Sequence, residues 1–510
     1  MTYSPAMSSG FALTKNRSVY VSPQSGMCSF CTEDCGGTCE VALAAVLGSQ
    51  TVYPTTTGNN QIASEKDYPI DFSHFNINGR VFGALQAAQN ADGATIFNVN
   101  IERTYGTSNP VKMTMPVILP ALIKLNWQDY FAGAAMAGVT CVIGEHAVNN
   151  EPNLKIENKK VTDFPLLAKI LDSFQQYYRG YGQIVLQCNV DDDLLGVPKI
   201  AIQKYGAQAI EIKFGQAAKG TQPVIRIKDI ETALDKQRRG LIVYPDPSDP
   251  AIQKAYQEGV CPNFNTYARL PMWTEESLLD HIAELREWGA KNIYFKMAGF
   301  DRTDIERVIR VACQAQVDMI TFDGAGGGSG YSPSKMMNEW SLPTVCLEDA
   351  VVRICERLKA DGLRLPAMVM TGGFASEDQV FKGLAYGKGY VAGIGLCRAS
   401  MAAAMMGKKI GDQIKSGNVP QRFKPYGSTV EEIFCDLPDL RAIYGTRANE
   451  FSTGAIGVFS YLNKIAFGLK HFAALNRKFD LDLLDQSDLI PLTSEARALM
   501  ANEWFVRPRG

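Results

Sequence analysis

The sequence predicts an α/β fold: a (β/α)8 TIM barrel with an N-terminal Cys-rich lobe and a C-terminal helical extension. Short apolar or β-branched runs ending in small or polar residues alternate with helix-length amphipathic stretches through the middle of the chain. The runs are continuously apolar, as strands are in a parallel sheet covered on both faces. Eight such units over about 280 residues match one barrel.

The eight runs are 116–123, 138–145, 183–190, 209–215, 292–299, 319–326, 366–373 and 390–395. A ninth candidate, Leu-Ile-Val-Tyr-Pro-Asp at 241–246, falls in the long segment between the fourth and fifth runs. It is assigned to an insertion; a doubly wound open sheet is the alternative. Residues 1–27 are polar and without period, an arm, and 40–115 mix short apolar runs with turn clusters such as Thr55-Thr56-Thr57-Gly58-Asn59-Asn60. The expected division is an N-terminal arm and cluster-binding lobe at 1–115, the barrel at 116–410 and a helical extension at 411–510. In that extension, 454–476 alternates apolar positions with Lys464, Lys470 and His471 and is expected to pack beside the barrel.

Composition narrows the function. The chain has 510 residues, 46% of them hydrophobic, so a sizeable core is expected. With 51 Lys+Arg against 53 Asp+Glu and no basic stripe, neither nucleic acid nor a membrane is an expected partner. The start, Met1-Thr2-Tyr3-Ser4-Pro5, does not read as a secretory signal. The apolar stretch 389–406 carries Arg398 and three glycines near its start, which suits a buried strand running into a helix better than a membrane span. A cytoplasmic location is expected. Eight of the 12 cysteines, at 141, 188, 261, 313, 346, 355, 397 and 435, are scattered singly and read as small hydrophobes in a reducing compartment.

The other four form one motif, Cys28-Ser-Phe-Cys31-Thr-Glu-Asp-Cys35-Gly-Gly-Thr-Cys39, spaced CX2CX3CX3C. Four thiolates that converge suit tetrahedral zinc or a cubane iron–sulfur cluster. Structural zinc sites usually come as two separated CX2C pairs, so the compact run favours an iron–sulfur cluster, 4Fe-4S, with zinc, disulfides or no metal as the alternatives.

Glycines mark the last three strand ends. Asp323-Gly324-Ala325-Gly326-Gly327-Gly328-Ser329-Gly330 closes the sixth, Thr371-Gly372-Gly373 the seventh and Gly393-Ile394-Gly395 the eighth. Backbone this bare lets N–H groups approach a ligand, and barrels bind phosphate between their last two loops. A phosphorylated cofactor follows. Lys296, at the end of the fifth strand, is expected to point into the same mouth, where a cation stabilises the anionic reduced edge of a flavin; a salt-bridged barrel lysine is the plainer alternative.

These residues resemble the FMN-binding glutamate synthase family, the stand-alone FMN synthase domain of glutamate synthase. Ile210-Glu-Ile-Lys-Phe-Gly-Gln-Ala-Ala-Lys219 is similar to its E-L-K-x-G-Q-G-A-K, and Asp323 to Pro333 to its D-G-x-x-G-G-T-G-A-x-P. Leu342-Pro343 matches the end of its G-L-P, and Thr371-Gly-Gly-Phe-Ala-Ser-Glu-Asp-Gln-Val380 with Gly393-Ile-Gly395 its phosphate site. Gly144-Glu145 resembles its G-E-G-G. The resemblance implies FMN with its phosphate on Gly372, Gly373, Gly393 and Gly395. It places the pyrimidine edge near Lys296 and Gln187, and the flavin face toward the loop at Gly326, Gly327, Gly328, Ser329 and Gly330, after Asp323. It implies a 2-oxo acid above the flavin, with Gln216, Lys219 and Glu145 as catalytic candidates. Arg239, beside Arg238, occupies the place of a carboxylate clamp; ordinary solvated charge is the plainer alternative.

The chain departs from the family after Lys219, where Gly-Thr-Gln-Pro-Val replaces P-G-E-G-G, and it lacks the three-Cys cluster that follows the barrel in large glutamate synthases. Residue 2 is Thr where a glutaminase domain needs an N-terminal Cys, so ammonia is expected from solution or an ammonia-supplying subunit. The expected activity is an iron–sulfur flavoprotein oxidoreductase: a cluster on Cys28, Cys31, Cys35 and Cys39 passes electrons to FMN, which reduces the imine of 2-oxoglutarate and ammonia to glutamate. A ferredoxin or another reductase is the expected donor, and the chain is expected to be an oligomer. The rivals are N-methylglutamate synthase-type amine transfer, a non-redox FMN isomerase such as the type 2 isopentenyl diphosphate isomerases, and an electron-transfer subunit without its own substrate. Of four histidines, 74, 146, 281 and 471, only His146 falls near the expected mouth.

Overall fold

Strand residues that alternate inward and outward can satisfy every backbone group only if the sheet has no free edge, and here the sheet closes. The structure, a computed structural model, describes residues 40–48, 69–88, 90–214, 226–261, 263–267, 269–324 and 342–501. Its barrel is built from β1 (Val117–Leu122), β2 (Thr140–Ile143), β3 (Ile184–Cys188), β4 (Ala209–Lys213), β5 (Asn292–Ala298), β6 (Met319–Asp323), β7 (Ala367–Thr371) and β8 (Val391–Gly395). They follow one another around the ring in chain order, all parallel, with β8 returning to β1. Each lies inside one of the eight expected runs, and closure removes the open-sheet alternative.

Helix α1 (Glu40–Leu47) precedes the barrel. The helices that follow the strands are α2 (Trp127–Ala137), α3 (Pro165–Gln175), α4 (Val197–Gln203), α5 (Glu275–Trp288), α6 (Arg302–Gln314), α7 (Thr344–Ala360), α8 (Glu377–Tyr386) and α9 (Arg398–Lys415). The stretch 389–406 thus resolves into β8 and the start of α9, and no helix among the described residues is long and apolar enough to cross a membrane. Helix α10 (Thr453–Leu475) lies against α1, α2, α8 and α9, so the C-terminal segment does pack beside the barrel.

The insertion between β4 and β5 has its own sheet. Strands Arg226–Ile227 and Ile242–Tyr244 flank Phe264–Tyr267, antiparallel, around a small core of Ile227, Ala233, Val243 and Phe264. The ninth strand candidate belongs here, outside the barrel ring. All eight scattered cysteines are free thiols, four of them buried and four half-buried.

Alternation sets the two faces of the barrel wall. Outward residues such as Leu186, Ile212, Phe295, Ile320 and Met370 join the main core under the helices. Inward residues Ile118, Val142, Val185, Ala209, Tyr294, Met319 and Val369 form a separate apolar floor, closed by a hairpin of Arg103–Tyr105 and Val111–Met113. Tyr105 and Thr140 hydroxyls meet at 2.6 Å there, and Asp318 ties the hairpin to β5 by accepting from Thr107 N at 2.8 Å and Ile293 N at 2.9 Å.

One residue runs against this packing. Glu348 in α7 is fully buried, and neither carboxyl oxygen has a hydrogen-bond partner. Burial, then the neighbouring Asp349, pushes its pKa well above the usual carboxyl range. A carboxyl raised on folding favours the folded state fully below its unfolded pKa, about 4.3, and that contribution is lost as pH rises toward the folded value. Glu348→Met is therefore expected to stabilise the fold at pH 8 by about 1–3 kcal/mol, with a smaller gain at pH 4. Chemical unfolding of the full chain at the two pH values checks this; a loss of stability at pH 8 contradicts it.

Candidate active site at the barrel mouth

The alternation that builds the floor also builds the site above it. Two residues further along each strand from the floor residues, the inward positions become polar: Gln187 after Val185, Glu211 and Lys213 after Ala209, Lys296 after Tyr294, Thr321 and Asp323 after Met319, and Thr371 after Val369. All seven are at least nine-tenths buried. The strand register sets Gln187 beside Glu211, and Lys296 between Lys213 and Thr321.

These groups compensate one another. Lys213 Nζ donates to Glu145 Oε1 at 2.6 Å, and Asn189 Nδ2 donates to the other Glu145 oxygen at 3.2 Å. Gln187 Nε2 donates to Glu211 Oε1 at 2.5 Å while its own carbonyl accepts from Glu145 N at 3.4 Å. On the far side Lys296 Nζ lies 3.6 Å from Asp323 Oδ2, and Asp323 Oδ1 accepts from the Thr371 hydroxyl at 2.7 Å. Burial pulls Lys296 down, but Asp323 and Glu211 more than offset it and hold the ammonium above its usual range. Burial pushes Glu211 up to about 7, against the pull of Lys296, Gln187 and Lys213.

Gln187, Lys296, Asp323 and Glu145 are thus brought into one lumen. His146 joins them from a left-handed backbone at φ 58°, with Nε2 2.8 Å from Asn189 Nδ2. Glu211 and Lys213 were legible only as charges at every second position of an apolar strand, Ala-Ile-Glu-Ile-Lys, a pattern that marks lumen-facing residues once a barrel is assumed.

The glycines divide by role. Gly372 and Gly373 have φ of 116° and 90°, and a Cβ on Gly372 lies 2.7 Å from Thr344 Oγ1, whose hydroxyl donates to the Gly372 carbonyl. Among the described residues nothing lies within 4 Å of a Cβ on Gly373, so none of them covers its backbone. Gly393 and Gly395 lie within β8, and a Cβ on Gly395 meets Pro120 and Thr371 at 2.7 Å. For Gly395, then, close strand packing already accounts for the glycine. A cation missed in the sequence stands next to this region. Arg398 opens α9, and burial pulls its guanidinium down to about 10 against the opposing pull of Cys397 and Asp323.

Arg239 is not part of this lumen group. Its Nε donates to Asp235 at 2.7 Å and its Nη1 to the Glu151 carbonyl at 2.9 Å, so it fastens the insertion to the loop after β2. A companion tie runs from Arg269 to Asp191 and to the Gly240 carbonyl. Gln216, Lys219, Gly326, Gly327, Gly328, Ser329, Gly330 and the four cysteines 28, 31, 35 and 39 lie outside the described residues.

Residues 268–405 match the family described as the conserved region in glutamate synthase. No curated protein matches the chain. Among solved structures, the chain is similar to a flavocytochrome b2 variant with sulfite bound at 13% identity, covering 86% of this chain and 82% of that one with a TM-score of 0.47. The recombinant flavin-binding domain of baker's yeast flavocytochrome b2 gives 14%, 86%, 82% and 0.47. A monotopic membrane protein, (S)-mandelate dehydrogenase, gives 12%, 82%, 89% and 0.44.

The lumen charges make one titration measurable. Glu211 raised to about 7 contributes stability that is complete below the ordinary carboxyl pKa and lost as pH rises through 7. Isotope-edited infrared spectroscopy of the full chain is expected to show a carboxyl titrating near 7 that disappears in Glu211→Gln. In Lys296→Met the midpoint should rise, because the lysine is the foremost group holding it down. A midpoint unmoved by Lys296→Met excludes that coupling.

Proposed function

Because residues 268–405 carry the conserved region of glutamate synthase, we propose that the chain is an FMN-dependent oxidoreductase of glutamate synthase type. The finer reading is reduction of the imine formed from 2-oxoglutarate and ammonia, an activity on CH–NH2 donors in glutamate biosynthesis. The observation that carries it is this match, which takes in Lys296, Asp323 and Gly372-Gly373.

The residues present fit the cofactor. Gly373 offers bare backbone in left-handed geometry just before the N-terminus of α8, and Arg398 adds a cation at the start of α9, a donor set suited to a phosphate. Lys296 supplies a buried positive charge, and Gln187, fixed by Glu211 and by the backbone of Glu145, supplies an oriented amide suited to a flavin's pyrimidine edge. When bound, FMN supplies hydride exchange.

The chain's own contribution is charge and placement. Lys296 and Lys213 are held ready by carboxylates, so negative charge that develops above them meets fixed cations with no water to reorganise. Glu145 is oriented by two donors, placed to steer a cationic nitrogen. A proton on the Glu211 carboxyl adjusts the net charge of the layer near neutral pH. Lys219 and Gln216 are the proposed contacts to the 2-oxo acid.

Electrons are proposed to enter through an iron–sulfur cluster on Cys28, Cys31, Cys35 and Cys39, the spacing being what supports it. A ferredoxin or other reductase is the proposed donor, and ammonia comes from solution or a partner chain.

Anaerobically purified protein is expected to carry flavin and iron together, with the iron lost in Cys28→Ser and the flavin retained. Lys296→Met should lower reduction of 2-oxoglutarate plus ammonia by about 10²–10³-fold. Protein that binds no flavin overturns the reading; flavin without turnover of 2-oxoglutarate and ammonia overturns the substrate.

A further inference from the structure

Helix α10 carries Tyr461, Lys464 and Gly468 at spacings of three and four residues, which set them on one helical face. All three meet the segment that joins β7 to α8. Tyr461 donates its hydroxyl proton to the Ala375 carbonyl at 2.6 Å, and Lys464 Nζ donates to Glu377 Oε2 at 2.5 Å. A Cβ on Gly468 lies 2.2 Å from Glu377 Cγ, so only glycine lets the helix come this close. Glu377 and Lys464 are each 6% exposed. Gln379 closes the segment from the other side, accepting from Ala375 N at 2.8 Å.

This segment is the continuation of Gly372-Gly373. Glu377 is the first residue of α8, so a buried carboxyl group stands in the first turn of the helix whose N-terminus would meet the proposed phosphate. Two anions at one helix N-terminus repel, and at a buried position salt screens them little. Some cation must cancel Glu377 if a phosphate is to be accepted there. Lys464 is in contact with that carboxylate, and Tyr461 holds the backbone two residues before it.

We infer that Lys464, with Tyr461, is a positioning residue for cofactor binding: from the C-terminal extension it neutralises Glu377 and holds the 372–377 segment in the form that accepts the flavin's phosphate. The inference rests on the FMN reading and deepens it, assigning the extension a task at that same site.

Riboflavin, which lacks the phosphate, separates the two. Flavin-depleted full-length protein is titrated at pH 8 with FMN and with riboflavin, read by quenching of flavin fluorescence, and its unfolding is followed without flavin. Lys464→Met is expected to weaken FMN by about tenfold while riboflavin changes less than about twofold. Lys464→Arg, which keeps the charge, and the double variant Lys464→Met with Glu377→Gln, which removes the uncompensated anion, should both recover most of the FMN affinity. Equal weakening of both flavins, or no recovery in the double variant, overturns the inference and leaves the pair a support of the fold. FMN no tighter than riboflavin in the parent chain overturns the FMN phosphate reading itself, and that outcome is visible before any variant is made.

Discussion

A closed parallel barrel leaves each strand residue two directions, lumen or helix layer, and every other property of this molecule depends on that constraint. It forces Val185 and Gln187, Tyr294 and Lys296, Met319 and Thr321 to share a lumen although they differ completely in polarity. The result is layered: a hairpin, an apolar floor, then a polar storey at the C-terminal strand ends. The floor keeps water from reaching the polar storey from below. The storey in turn confines its charges to one end, where loops can reach them.

Charges in so enclosed a place survive only in compensated sets. Lys213 faces Glu145, Lys296 faces Asp323, and Glu211, within electrostatic reach of both lysines, has Gln187 as its partner. Each cation is therefore fixed by an anion that is itself fixed by a donor from another element. Rigidity of this kind suits a site whose task is to present a ready-made field to a ligand. It also explains why Glu211 takes the middle of the titration range: it is the member pulled by both cations yet wholly withdrawn from water.

The eight strands were legible because a strand buried on both faces is apolar over most of its length, and the amphipathic stretches between them suited the covering helices. The insertion was legible for the opposite reason, an extra strand candidate where the series had no place for it. The mouth was partly legible: glycines at 372 and 373 and a lysine at 296 sit at strand ends, where chemistry collects. Glu211 and Lys213 escaped as site residues because their significance lies in register with β3 and β5. The structural tie of Arg239 was not legible because its partners, Asp235 and the Glu151 carbonyl, are a helical turn away in one case and on another loop in the other. The tie between Lys464 and Glu377 joins residues far apart in the chain, and no local pattern announces such a contact.

Helix α10 is made late. The ring of strands is complete in sequence at Gly395, yet the face that buttresses the segment after β7 arrives only with Tyr461, Lys464 and Gly468. At ribosomal speeds of about 5–20 residues per second, the eight strands are synthesised seconds before this last support. During that interval the 372–377 segment lacks its buttress, and a truncated or stalled chain never acquires one. The extension thus ties the order of the segment after β7 to residues made after the whole ring.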